Sequence, residues 1–207
     1  MDSQREWWRR ALAVFVRPNV VFASLRSVDE AAPEARQETV LAIILLAGIG
    51  GILITPAWDT IMDNYERDAL VTAVITFIGG GLYGAALYWI AGTALALVLR
   101  GLGSVAPSVR ARHVLAFACV PLVLLIGLAL VEAGLYGEDA FRTGGDDEGT
   151  PAAVFAILQA LVIAWSVGLL VLGVHLVERF SWPRVAASIA LVGLFLAAFS
   201  VVANGVL

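Results

Sequence analysis

His175 and Glu178 stand three residues apart, so on a helix an imidazole and a carboxylate share one face about one turn apart. His113 opens another apolar stretch at the same expected membrane depth. Two imidazoles and a carboxylate are ligands that zinc accepts, with a fourth position open for water. A plainer reading fits the same residues. A histidine at a membrane boundary has one apolar and one polar edge, and Glu178 can pair with Arg179 or Arg184. The membrane-bound metal enzyme built on His113, His175 and Glu178 is therefore kept only as an alternative.

Other chemistry is sparse. A serine nucleophile needs a base to take its proton, and both histidines lie at span ends, far in depth from the outer polar residues. The chain has no lysine and no phosphate-cradling glycine loop followed by one. The single cysteine, Cys119, lies in an apolar run and reads as a buried core thiol. The polar residues within the apolar stretches are Thr72, Thr76, Thr93, Gln159, Ser166, Ser188, Ser200 and Asn204. Serine and threonine can bond back to their own helix. Gln159 is expected to bond to a neighbouring helix. No catalytic residue, cofactor or metal is expected.

The elements that would position these groups follow from composition. Of 207 residues, 60% are hydrophobic and only 14% charged. A soluble domain carries about a quarter charged residues. Five uncharged stretches stand out: Val40 to Ala57, Ala69 to Leu99, Val114 to Val131 with Pro121 inside, Ala152 to Val177, and Val185 to Leu207. A bilayer core demands about 18 or more apolar residues of a crossing helix. Helices satisfy their own backbone in hydrocarbon, so all five read as transmembrane helices. The expected fold is an all-α membrane protein with five spans (residues 40–57, 69–99, 114–131, 152–177 and 185–207). They form one transmembrane domain, 40–207, after a cytoplasmic region, 1–39. The second stretch is longer than a straight crossing needs and carries Gly79, Gly80 and Gly81. A kink, a strong tilt or an end projecting into water is expected there.

Sidedness comes from the arginines. Eleven of the thirteen fall before the first span, between spans two and three, or between spans four and five. Only Arg67 and Arg142 fall on the other side. The positive-inside rule puts the N-terminus in the cytoplasm and Leu207 outside, as in a multi-pass protein of the cell membrane. The acidic segments at Trp58 to Asp68 and Gly137 to Pro151 then face out.

Trp7 to Val16 is too interrupted by charge to span, and its apolar core is too short for a signal peptide. On a helix, Trp8, Ala11, Leu12, Phe15 and Val16 form one apolar stripe. Pro18 ends that helix and can start a second with Val20, Val21 and Leu25. The expectation is an amphipathic helix lying flat on the inner surface. Trp7, Trp8, Arg9, Arg10 and Arg17, with Arg110 and Arg112 of a later loop, would touch the membrane surface and its anionic headgroups. These arginines lie beside spans, so nucleic acid is not an expected partner.

Helix packing or kinking falls to Gly79, Gly80, Gly84, Pro121, Trp165, Gly168 and Gly173. Small residues let backbones approach, since lipid gives no hydrophobic drive for helix association. Packing within one chain explains them; a homo-oligomer or another membrane protein is the further candidate partner.

Three stretches, in this order, carry a family resemblance. "RPNVVFASL" (Arg17 to Leu25) holds a Pro-x-x-x-Phe lead-in to the first span. "SVRARHVLAFACVPLVLL" (Ser108 to Leu125) is a polar lead-in with a proline about eight residues beyond His113. "IAWSVGLLVLGVHLVERFSWPRVAA" (Ile163 to Ala187) holds Trp165-Ser166-x-x-Leu169-x-x-x-Gly173, a short serine-bearing loop and the start of the last helix. The chain resembles the Yip domain family of Ypt/Rab-interacting integral membrane proteins, closer to its prokaryotic branch. The resemblance implies five spans, a cytoplasmic N-terminus and no enzymatic activity. The long N-terminal region and the Asp-Leu-Tyr-Gly-Pro stretch of eukaryotic members are not matched, which argues against GTPase binding. The expected role is membrane organisation or partner recruitment at the cytoplasmic face. A transporter or channel for a small neutral or lipidic solute is the main alternative.

Overall fold

The computed structural model of the chain describes residues 2–27, 34–55, 58, 69–137 and 150–206. Among these every regular element is helical. In chain order they are α1 (Asp2–Val16), α2 (Pro18–Ser24), α3 (Glu34–Ile52), α4 (Ala69–Gly101), α5 (Ser108–Ala118), α6 (Leu124–Tyr136), α7 (Thr150–Glu178) and α8 (Trp182–Val206). Short 3₁₀ turns cover Leu25–Ser27 and Val120–Val123.

Each expected apolar stretch overlaps helix, but the span count is not clearly five. Among the described residues, α4 and α7 alone are long and apolar enough to cross a membrane. A third crossing follows if α5 and the Val120–Tyr136 segment are taken as one broken span. In the other two stretches the apolar windows are Val40–Ile52, within α3, and Trp182–Ala198, within α8. The first stretch stops being helical after Ile52.

The break in the third stretch follows from Pro121. It has no N–H to give, and its ring disfavours helix in the residue before it. The chain answers with the 3₁₀ turn at Val120–Val123, where Pro121 is buried. By contrast α4 runs unbroken through Gly79, Gly80 and Gly81. At 33 residues it is about 50 Å long, against about 30 Å of hydrocarbon. Its surplus length is accommodated by tilt or by an end in water rather than by a helix break.

The chain forms two compact units. One comprises residues 1–40, 86–118 and 168–207; the other comprises 41–85 and 119–167. In the second unit, α3 and α4 pack backbone to backbone. A Cβ at Gly48 would collide with Gly80 O and with the Gly84 backbone, and one at Gly84 would collide with Ile44 O. A Cβ at Gly80 would meet the Ile49 Cα at 2.5 Å. Gly79 makes ordinary contact with Ile52. Trp58 is the largest fully buried side chain in that unit.

In the first unit the core is built from Val14, Val21, Phe22, Leu25, Leu95, Val114, Phe117, Val174 and Val185. Much of the remaining apolar surface is exposed, including Leu161, Trp165, Leu191 and Leu194. Large outward apolar side chains of this kind suit lipid as solvent.

Candidate functional site: a basic face on the first unit

The amino-terminal helices turn one face inward and one outward. On α1, Ala11 and Val14 are buried, while Arg9, Leu12 and Val16 are exposed. The expected single stripe is thus split: Ala11 packs inward, and Leu12 and Val16 point away with Arg9. Pro18 starts α2 as its first residue, where its missing N–H costs nothing. Exposed Arg17 and Val20 continue the outward face, while Val21 and Phe22 are buried. Arg10 is half-buried. The side chains of Trp7 and Trp8 lie outside the described residues.

Two contacts fix these helices. Phe22 lies against Gly173 of α7: a Cβ at 173 would stand 2.8 Å from Phe22 Cε1 and 2.9 Å from Val114 Cγ1. The Arg26 guanidinium donates from Nε to the Leu176 carbonyl at 2.8 Å, and its Nη2 reaches the same oxygen. Leu176 is in the last turn of α7, whose carbonyls lack helical partners, so a cation there is doubly favoured. Arg179 then takes a left-handed φ of +55° and ends the helix.

The loop after α7 draws in the residues weighed as a metal set. His175 donates from Nδ1 to the Phe180 carbonyl at 2.8 Å and stacks on Trp182, with ring centroids 4.1 Å apart and planes 12° apart. Its tautomer follows from that bond, because a carbonyl only accepts. Glu178 accepts a 2.5 Å hydrogen bond from the Ser104 hydroxyl, which also accepts from the Ala106 N–H. That hydroxyl, rather than Arg179 or Arg184, is the partner of Glu178. His113 is buried. Among the described residues no three His, Cys, Asp or Glu side chains gather as a metal-binding group. The metal alternative therefore has no geometry behind it.

Arg112 makes a contact that the sequence did not announce. Its guanidinium lies over the Trp89 ring, 4.7 Å from the centroid, and 6.0 Å from that of Tyr88. Its Nη2 bonds to Ser108 Oγ at 3.3 Å. Gly92 makes room for it: a Cβ there would meet Arg112 Cγ at 2.5 Å. The signal available was a short turn between two helices, which sets Arg112 beside residues about two and a half to three and a half turns before the end of α4. Arg110, the other expected headgroup contact, is half-buried.

In the second unit, Glu132 is buried in α6 and accepts from Gln159 Nε2 at 3.4 Å. Gln159 thus bonds to a neighbouring helix. Drawing the third stretch only to Val131 left this carboxylate outside it, yet the helix continues to Tyr136. Thr76 and Ser188 bond back to their own helices, at Thr72 O and Val185 O. Trp165 is 43% exposed, and a Cβ on Gly168 would meet nothing within 4 Å.

Against this geometry, the Yip1 domain family model matches residues 12–203. The chain belongs to the Yip1 family. The matched region begins inside α1 and ends inside α8, so Leu12, Val16, Arg17 and Val20 lie within the Yip1 domain and Arg9 lies before it. No curated protein and no solved structure matches the chain. Family membership and the apolar helices together make it an integral membrane protein.

Proposed function

We propose that this Yip1-family chain is a non-enzymatic, five-helix protein of the cell membrane. Its α1–α2 segment lies on the inner surface and organises the membrane or recruits partners there. The observation that carries this reading is the outward face of Arg9, Leu12, Val16, Arg17 and Val20 on helices pinned from behind by Phe22 and Arg26. Apolar side chains flanked by guanidinium groups match the boundary between acyl chains and anionic headgroups. The helices α3 and α8 supply the fourth and fifth crossings. The N-terminus is cytoplasmic and the C-terminus outside, by the bias of the arginines.

The test is depth. A fluorophore on Leu12→Cys, in a Cys119→Ala background and in phosphatidylglycerol-containing vesicles, should be quenched by lipids brominated high on the acyl chain. One on Val105→Cys, in the exposed loop after α4, should not. Equal quenching at both positions contradicts the reading. The double variant Leu12→Glu/Val16→Glu should also change vesicle diameter relative to the unaltered protein.

A second reading, transport of a small neutral or lipidic solute, draws support from Glu132 and Gln159. A buried carboxylate in an apolar helix is costly and often marks a pathway. Solute flux into proteoliposomes that Glu132→Gln abolishes would favour it; no flux above empty vesicles would remove it.

A further inference from the structure

The geometry points to a phospholipid phosphate site at Arg112, framed by Trp89, Gly92 and Ser108. It deepens the membrane-surface reading above and rests on the chain being embedded in lipid. All four residues belong to the first unit and to the α4–α5 hairpin.

Three observations converge. The first is unmet demand. The Arg112 guanidinium donates to one neutral hydroxyl, Ser108 Oγ at 3.3 Å, and its Nε is buried with no hydrogen-bond partner. A guanidinium in low-dielectric surroundings calls for an anion, and its fork matches a phosphate in two-point geometry. The second is a built position. Gly92 opens α4 so that the Arg112 stem crosses it, and Trp89 offers its ring face to the cation at 4.7 Å. The third is depth. Trp89 is 57% exposed, on the outward side of α4. It lies about 30 Å along the helix from Ala69, which is the hydrocarbon thickness. With Ala69 near one boundary, Trp89 and Arg112 reach the other, where headgroup phosphates lie and tryptophan concentrates.

The ligand is therefore the phosphate of an anionic glycerophospholipid. Its acyl chains would run along the exposed side of α4, and its phosphate would take the outer edge of the guanidinium. A zwitterionic lipid offers the same phosphate with a cation attached, which offsets its attraction to the guanidinium.

Native mass spectrometry of the full chain in mild detergent, with phosphatidylglycerol added, tests the site. The unaltered protein should retain phosphatidylglycerol over phosphatidylcholine. Arg112→Gln should cut retention about tenfold or more, as loss of a charge-assisted hydrogen bond implies. Arg100→Gln, at an exposed arginine in the last turn of α4, should not. Arg112→Lys keeps the charge without the fork and should fall between. It carries the test if Arg112→Gln does not fold, and undiminished retention in Arg112→Lys then overturns the site. Retention unchanged in Arg112→Gln, or lost equally in Arg100→Gln, also overturns it. Displacement by millimolar inorganic phosphate alone would make the ligand free phosphate and overturn the lipid assignment. Because this readout does not involve α1, it can fail while the depth test on Leu12 succeeds.

Discussion

The ring of Phe22 occupies the space that any side chain at residue 173 would need, so α2 and α7 meet through a phenylalanine and a glycine 151 positions apart. Both residues stand within the stretches that carry the family resemblance, the Pro-x-x-x-Phe lead-in and the Trp-Ser-x-x-Leu-x-x-x-Gly run. This contact fastens α2 to α7.

Phe22→Ala should cost about 3–5 kcal/mol by emptying a fully buried ring site. Gly173→Ala should cost about 1–3 kcal/mol by overpacking against the same ring. The double variant should lose less than the two single losses added, because the new methyl enters the new cavity. Thermal unfolding in detergent, followed by circular dichroism, checks all three.

Arg26 supplies the second fastening. Its bond to the Leu176 carbonyl closes the end of α7, and Arg26→Ala leaves that carbonyl without its side-chain donor. The expected loss is about 1–3 kcal/mol, in the range for hydrogen bonds from charged groups. Hydrogen exchange should rise in the last turn of α7 and across α2, while the α3–α4 contact stays protected. An unchanged α2 would show that Phe22 alone holds it.

The glycines of α3 and α4 should differ sharply from those elsewhere. Gly48→Val and Gly84→Val place side chains where the facing backbone already lies, and should abolish monodisperse folded protein or lower the unfolding temperature strongly. Gly168→Ala meets open space and should be within about 0.5 kcal/mol of the unaltered chain. Size-exclusion profiles and unfolding temperatures measured in parallel decide this.

Helical class and membrane character were legible in the sequence because they rest on local hydropathy, which needs no partner. Pro121 announced a break, since proline cannot continue a hydrogen-bond ladder. The three glycines at 79–81 looked like a similar break, but glycine only permits one, and here close packing on α3 is the use made of Gly80. Five crossings are not clearly resolved: among the described residues α4 and α7 are long and apolar enough, and the Pro121-broken pair makes a third. Arg112 over Trp89 and Glu132 against Gln159 were not legible. Each joins separate helices, and their meeting depends on register that hydropathy does not encode. Of the expected stripe on α1, Ala11 packs inward while Leu12 and Val16 face out: with apolar residues at both Ala11–Val14 and Leu12–Val16, periodicity alone cannot say which pair packs inward.

Sidedness is the central claim, since an inner-face role needs the arginine-bearing segments inside the cell. Single cysteines at Ser3→Cys and Asp146→Cys, each in a Cys119→Ala background, can be treated with a membrane-impermeant thiol reagent. Intact cells should label the cysteine at position 146 and leave that at position 3 unlabelled until lysis. Labelling at position 3 in intact cells, with position 146 protected, would invert the topology and contradict the inner-face role.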